Sequence, residues 1–120
     1  MWVEFWDMYS GGHLKLEPYE QIYIEASSIE EAIEIFYNKF GIDPYNITCS
    51  CCGIDYEINS HESLKQLTAF HRNCEWSEEK GCYIEKPDKY GEYISLRKYL
   101  RRPDVLVIRK KKKIKLKKGG

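Results

Sequence analysis

One constellation constrains this chain more than any other. Cys49-Ser50-Cys51-Cys52-Gly53 stands in mid-sequence, and His71-Arg72-Asn73-Cys74 follows it. Cys49 and Cys52 form a Cys-x2-Cys-Gly knuckle. Its turn lets both thiolates face one ion, and the glycine relieves crowding after the second sulfur. His71 and Cys74 are spaced i, i+3, which on a helix places them on one face. Cys49, Cys52, His71 and Cys74 together make a closed tetrahedral set for Zn2+. A closed set leaves no position for water or substrate, so the expected role is structural. Such a metal adds folding free energy on the order of 10 kcal/mol in small zinc domains. Cys51 is a spare that can replace either neighbour, and Cys82 is expected to be a bystander. Two other readings compete: free, partly buried cysteines with His71 an ordinary helix histidine, and a redox dithiol formed by Cys49 and Cys52. The redox reading is weakened because that motif lies in a β-like segment and not at a helix N-terminus, where the dipole lowers a thiol pKa.

Five cysteines, three of them within four positions, make a poor disulfide framework. The opening residues 1–8 carry Glu4 and Asp7 and no basic residue, so they lack the pattern of a secretory signal. No apolar run approaches the 18 or so residues that a membrane span needs. The expectation is a cytoplasmic chain, in which metal binding is favoured over disulfides.

At 120 residues the chain has room for one modest core. Residues 2–8 (WVEFWDM) predict a strand, ended by Ser10-Gly11-Gly12. Residues 20–26 (EQIYIEA) alternate, with Ile22, Ile24 and Ala26 on one side. Ser28-Ile29-Glu30-Glu31 matches a capping box. Ile29, Ala32, Ile33, Phe36, Tyr37 and Phe40 then recur at spacings of three and four, the stripe of an amphipathic helix that Gly41 stops. Residues 47–58 are β-like on both sides of the cysteine turn. A second helix is predicted over 60–74, a long loop over 75–93, a short helix over 95–102 and a buried strand over 105–108. The fold class that follows is α+β: a small, mostly antiparallel sheet with two or three helices packed on one face. The domain is expected over 1–108, with 109–120 a basic, disordered tail.

The formal charge of zero conceals a split. Eight of the 19 basic residues fall in 109–118, which leaves 11 against 19 acidic residues elsewhere. Arg109, Lys110, Lys111, Lys112, Lys113, Lys115, Lys117 and Lys118 are therefore candidates for weak, salt-sensitive contact with nucleic-acid phosphates. A solubilising extension is the alternative. The acidic body would repel a duplex, and it suits mimicry of nucleic acid or a basic protein partner. Trp2, Phe5, Trp6 and Tyr9 offer stacking surfaces for bases, although packing of the sheet against helices is the commoner use. His13 and His61 are expected to be ordinary surface histidines. No nucleophile elbow, phosphate-binding loop or dinucleotide fingerprint is present.

The phrases WVEFWDMYSGG, IYIEASSIEEAIEIFYNKFG, ITCSCCGIDYEI and SLRKYLRRPDVLVI together resemble a family of short, uncharacterised tailed-phage proteins, over residues 2–108. The resemblance implies a viral gene product acting in the cytoplasm of a bacterial host, with the cysteine turn in the common body and the lysine-rich tail outside it. The functional expectation is a non-enzymatic binding protein that engages a host protein or other macromolecule, such as an anti-defence factor. A zinc-containing nucleic-acid-binding protein that uses its tail is one alternative, and a redox or metal-assisted enzyme is the other.

Overall fold

The computed structural model describes residues 1–51, 53–85 and 93–110 of the chain. In chain order its elements are β1 (Trp2–Asp7), β2 (Gln21–Glu25), α1 (Ile29–Phe40), β3 (Tyr56–His61), α2 (Leu64–Leu67), β4 (Glu75–Ser77), β5 (Cys82–Ile84), α3 (Leu96–Tyr99) and β6 (Val105–Ile108). The class is α+β, with a four-stranded mixed sheet of order β3-β1-β2-β6 and a separate β4-β5 hairpin. Strand β1 is antiparallel to both neighbours, and β6 joins β2 in parallel.

Strand alternation gives the sheet two distinct faces. Val3 and Phe5 of β1 stand opposite Ile24 and Ile22 of β2, and Phe5 also stands opposite Ile58 of β3. This face receives α1. Phe36 stacks on Phe5 at 4.5 Å between ring centroids and meets Tyr56 edge-on at 5.1 Å. Fully burying a side chain such as Phe36 stabilises by roughly 1.5–3 kcal/mol. The other face carries Trp2, Glu4 and Tyr23, and it packs with Leu64, Tyr99 and Val105. The helices therefore divide between the two faces instead of sharing one. The cause lies in β1, whose alternate positions are all nearly buried, so both faces need a cover.

Local signals fix α1. Ser28 Oγ accepts from the Glu31 N–H at 3.1 Å, and Glu31 Oε1 accepts from the Ser27 N–H, one residue earlier than the capping box predicts. Gly41 closes the helix at φ 68° and donates its N–H to the Tyr37 carbonyl at 2.8 Å. That left-handed position suits glycine because it has no Cβ to clash.

The stretch predicted as a helix over 60–74 is shorter and broken. Strand β3 runs on to His61, α2 is one turn, and Ala69–Arg72 forms a 3-10 turn. Thr68 Oγ1 donates back to the Leu64 carbonyl at 2.9 Å, a bond that competes with helix continuation. Asn73 then adopts left-handed φ 58° and ends the segment. The predicted loop over 75–93 contains the β4-β5 hairpin, whose three-residue strands are too short to show alternation. Before β3, the β-like segment reduces to one isolated bridge, Cys49 with Gly53. Among the described residues no helix is long and apolar enough to cross a membrane.

Candidate binding cleft and cysteine turn

Glu4 is the unexpected residue. It sits in mid-β1 between Trp2 and Trp6 and is only 2% exposed. A lone buried carboxylate is costly, so its oxygens need partners. Oε2 accepts from the Tyr23 hydroxyl at 2.6 Å and from His71 Nε2 at 2.9 Å, and Oε1 accepts from Asn59 Nδ2 at 2.9 Å. Against an ionised carboxylate, which only accepts, Nε2 is the nitrogen that would donate in this bond. The Tyr23 and Tyr99 hydroxyls lie 2.8 Å apart and extend the network toward α3. Burial, then the charge of Glu4, pushes the Tyr23 hydroxyl far above its ordinary range. Burial raises Tyr99 as well, so both phenols stay protonated.

His71 is held from several sides. Trp6 meets its ring edge-on at 4.7 Å, and Tyr99 lies parallel to it at 6.1 Å. The 3-10 turn that carries His71 is anchored by its neighbour Arg72, which is fully buried. Arg72 Nε donates to Thr68 Oγ1, Nη1 to the Ile94 carbonyl, and Nη2 to the Lys65 carbonyl and Glu85 Oε1. Glu85 also accepts from the Tyr93 hydroxyl at 2.6 Å. Burial alone would raise the Glu85 carboxyl, but the bonds from Tyr93 and Arg72 hold it below its ordinary value.

Glu4 and His71 form the floor of an open cleft of about 410 Å3. Trp6, Phe70 and Tyr83 supply aromatic walls, and Glu57, Asn59 and His61 stand on the β3 side. Trp6 and Glu57 are directly paired across β1 and β3, as are Glu4 and Asn59. Gln66 fixes the hairpin to the cleft: Nε2 donates to the Tyr83 carbonyl at 3.0 Å, and Oε1 accepts from the Tyr83 N–H at 2.9 Å. Phe70 is 65% exposed, a large apolar ring turned to solvent at the rim.

The cysteine turn lies elsewhere on the sheet. Asp55 closes its neck, accepting from the Thr48 N–H at 2.8 Å and the Thr48 hydroxyl at 2.7 Å. Burial works to raise the Asp55 carboxyl, but the Thr48 bonds, with Lys15 and Asn46, leave it below its ordinary value. Gly53 adopts φ 81°, a turn conformation that glycine tolerates. The Cys49 and Cys51 sulfurs approach to 2.7 Å. The Met8 N–H donates to the Asp55 carbonyl, so the turn leaves the sheet at the Asp7 end of β1. That end is on the order of 10 Å along the strand from Glu4, where His71 docks. Cys74 is half-buried, and burial pushes its thiol above the ordinary value. Among the described residues no group of three or more His, Cys, Asp or Glu side chains is placed to hold a metal ion. Cys52, one of the four predicted ligands, lies outside the described residues.

Of the predicted site residues, the structure thus draws Cys49 toward Cys51 and gives His71 a carboxylate partner. Cys82 pairs with Ser77 in the hairpin. Of the predicted tail, Lys110 donates its N–H to Glu25 Oε1 and its Nζ to Ser27 Oγ, and Arg109 lies 5.5 Å from the Trp2 ring centroid. Those two residues are therefore tied to the body. Lys111, Lys112, Lys113, Lys115, Lys117 and Lys118 lie outside the described residues. Of the predicted stacking residues, Trp2 and Phe5 are buried in the two cores, Tyr9 is exposed, and Trp6 lines the cleft. His13 Nδ1 bonds the Gly11 carbonyl, and His61 Nδ1 accepts from the Ser63 N–H, both local contacts.

The fold and the cleft define a small α+β protein with a carboxylate-histidine pair at the base of an aromatic cleft. No protein-family model, curated protein or solved structure matches the chain.

Proposed function

We propose that this protein is a non-enzymatic binding module that seats a group of a partner macromolecule in the cleft above Glu4 and His71. One observation carries the reading: the exposed Phe70 ring, with Trp6 and Tyr83 beside it, stands over a buried carboxylate whose two oxygens are both hydrogen-bonded. Pockets with apolar walls and a few fixed polar groups are the usual form of a ligand site. The same floor weighs against catalysis. Glu4 spends both oxygens on internal partners, and His71 turns Nε2 to Glu4 and not to a nucleophilic hydroxyl or thiol.

The resemblance to short tailed-phage proteins adds that the partner belongs to the bacterial host and that the protein acts in its cytoplasm, in the manner of an anti-defence factor. The thiolate-rich turn is proposed to take Zn2+ in a structural role. Soft thiolate donors suit that ion. If His71 belongs to the set, it coordinates through Nδ1 while Nε2 stays on Glu4, since a carboxylate commonly orients a ligating imidazole in this way.

Capture from host lysate tests the cleft. Phe70→Asp places a charge on the rim without touching the core, and Tyr37→Ala alters an exposed ring on α1 as a control. A partner retained by the wild type and Tyr37→Ala but lost from Phe70→Asp supports the reading. A partner held equally by Phe70→Asp overturns it.

A further inference from the structure

The cleft lining also tells which chemistry it takes, an inference that rests on the cleft being the binding site. Among its lining residues there is no lysine or arginine, whereas two carboxylates, Glu4 and Glu57, and three aromatic rings, Trp6, Phe70 and Tyr83, are present. Trp6 and Phe70 lie 6.3 Å apart between centroids and are tilted by 50°, so they do not close on each other face to face. Asn59 Nδ2 reaches Glu4 Oε1 at 2.9 Å and Glu57 Oε2 at 3.4 Å, which gathers both carboxylates on one side. An aromatic face is electron-rich and attracts a cation within about 6 Å of its centroid. Two imidazoles, His61 and His71, also line the cleft, and His71 faces Glu4 at 2.9 Å, but an anion would still meet both carboxylates and the ring faces.

We propose that the cleft binds a cationic nitrogen group, a guanidinium above all. A guanidinium is planar and weakly hydrated, stacks on aromatic rings and donates a two-pronged hydrogen bond to a carboxylate. Phe70 and Trp6 supply the rings, and Glu57 supplies the open carboxylate at the rim. His71 and Asn59 serve by holding Glu4 in place beneath the bound cation.

The test is an NMR titration of the full chain with three probes: acetyl-arginine amide, methylguanidinium chloride and acetyl-citrulline amide. Citrulline keeps the size and hydrogen-bonding shape and lacks the charge. The expected result is that the arginine probe moves the Trp6 indole and Asn59 side-chain signals and the citrulline probe does not. Phe70→Ala and Glu57→Gln, both at the cleft rim, should each weaken arginine binding by about two- to fivefold. If methylguanidinium binds as well as the arginine amide, the source is a free small cation. If the amide binds better, the source is an arginine side chain of a partner. Equal binding of citrulline, or arginine binding unchanged in both variants, overturns the proposal. If no probe moves the cleft signals while partner capture still depends on Phe70, the cationic assignment falls and the cleft reading stands. If guanidinium binds while capture ignores Phe70, the cationic assignment stands and the macromolecular partner falls.

Discussion

Replacing Arg72 with methionine removes a cation sealed beneath the cleft, and the structure sets the size of the loss. Thr68 Oγ1, the Lys65 carbonyl and the Ile94 carbonyl each lose a donor. At about 1.5 kcal/mol per bond, the low end for a charged donor, this is about 4.5 kcal/mol. The ion pair with Glu85 at 3.0 Å adds on the order of 1 kcal/mol, because Glu85 is a quarter exposed and water screens it. Methionine recovers part of this by apolar packing, so the net cost is about 3 kcal/mol. Small domains hold about 5–15 kcal/mol in all, so the loss is large. With a urea slope of about 1.5–2 kcal/mol per molar, the unfolding midpoint should fall by about 1.5–2 M. Arg72→Lys keeps the charge but not the fork, and about half the loss should remain. Glu85→Gln in the Arg72→Met background should cost less than in the wild type, which a double-mutant cycle measures. The pH dependence adds a check of sign. The folded Glu85 carboxyl lies below its unfolded value. Its contribution is therefore present above about pH 4.3 and fades as pH falls through the folded pKa. Arg72→Met removes part of that depression, so the gap between the two proteins should narrow in acid. A midpoint shift under about 0.5 M in urea would refute the buried-anchor assignment.

Asp55→Asn should destabilise the protein by about 1–2 kcal/mol at neutral pH, because an amide cannot accept all of the Thr48 and Asn46 bonds. The folded Asp55 carboxyl is lowered, so its contribution is lost as pH falls through that value, and thermal melts of the two proteins should converge below about pH 4. For the metal, purified protein should carry close to one equivalent of zinc by elemental analysis. Cys52→Ala and Cys74→Ala should remove it and lower the melting temperature, with Cys82→Ala unchanged. Zinc below about a tenth of an equivalent, with melting indifferent to a strong chelator, would sink the assignment.

What the sequence carried legibly was local. Helix α1 was readable because its cap, its stripe and its terminal Gly41 all lie within 14 residues of one another. Strands β1 and β2 were readable from composition and alternation. The cleft was not, because its parts come from distant segments. Glu4 meets Tyr23 across 19 residues and His71 across 67. The one local signal was Trp2-x-Glu4-x-Trp6, a carboxylate between two tryptophans on one strand face. Alone it fits an exposed face as well as a buried one. His71 was singled out for its spacing from Cys74, but spacing assumes a continuous helix. The Thr68 back-bond and the left-handed Asn73 break that helix and send the imidazole to Glu4. Phe70 and Arg72 carried no signal, since an exposed ring and a buried guanidinium are departures from the ordinary rule for their types.

Stability alone does not account for the second face of the sheet. A buried charged network is often no better than well-packed apolar residues of similar volume, and it is costly when any partner is missing. The α1 face shows that this chain packs an ordinary apolar core, with Val3, Phe5, Ile22 and Ile24 against Phe36. The opposite face, built on the same strands, instead holds Glu4 with three donors beneath an opening to solvent. The difference between the faces is access: the charge lies under the cleft and away from the sealed core. Among the described residues no lysine or arginine lines that cleft, so an ionised carboxylate there would project a negative potential through low-dielectric walls. The excess of acidic over basic residues outside 109–118 has the same sign. Both the local site and the long-range field therefore agree in sign with the cationic group proposed for the cleft, whose association should weaken as salt rises.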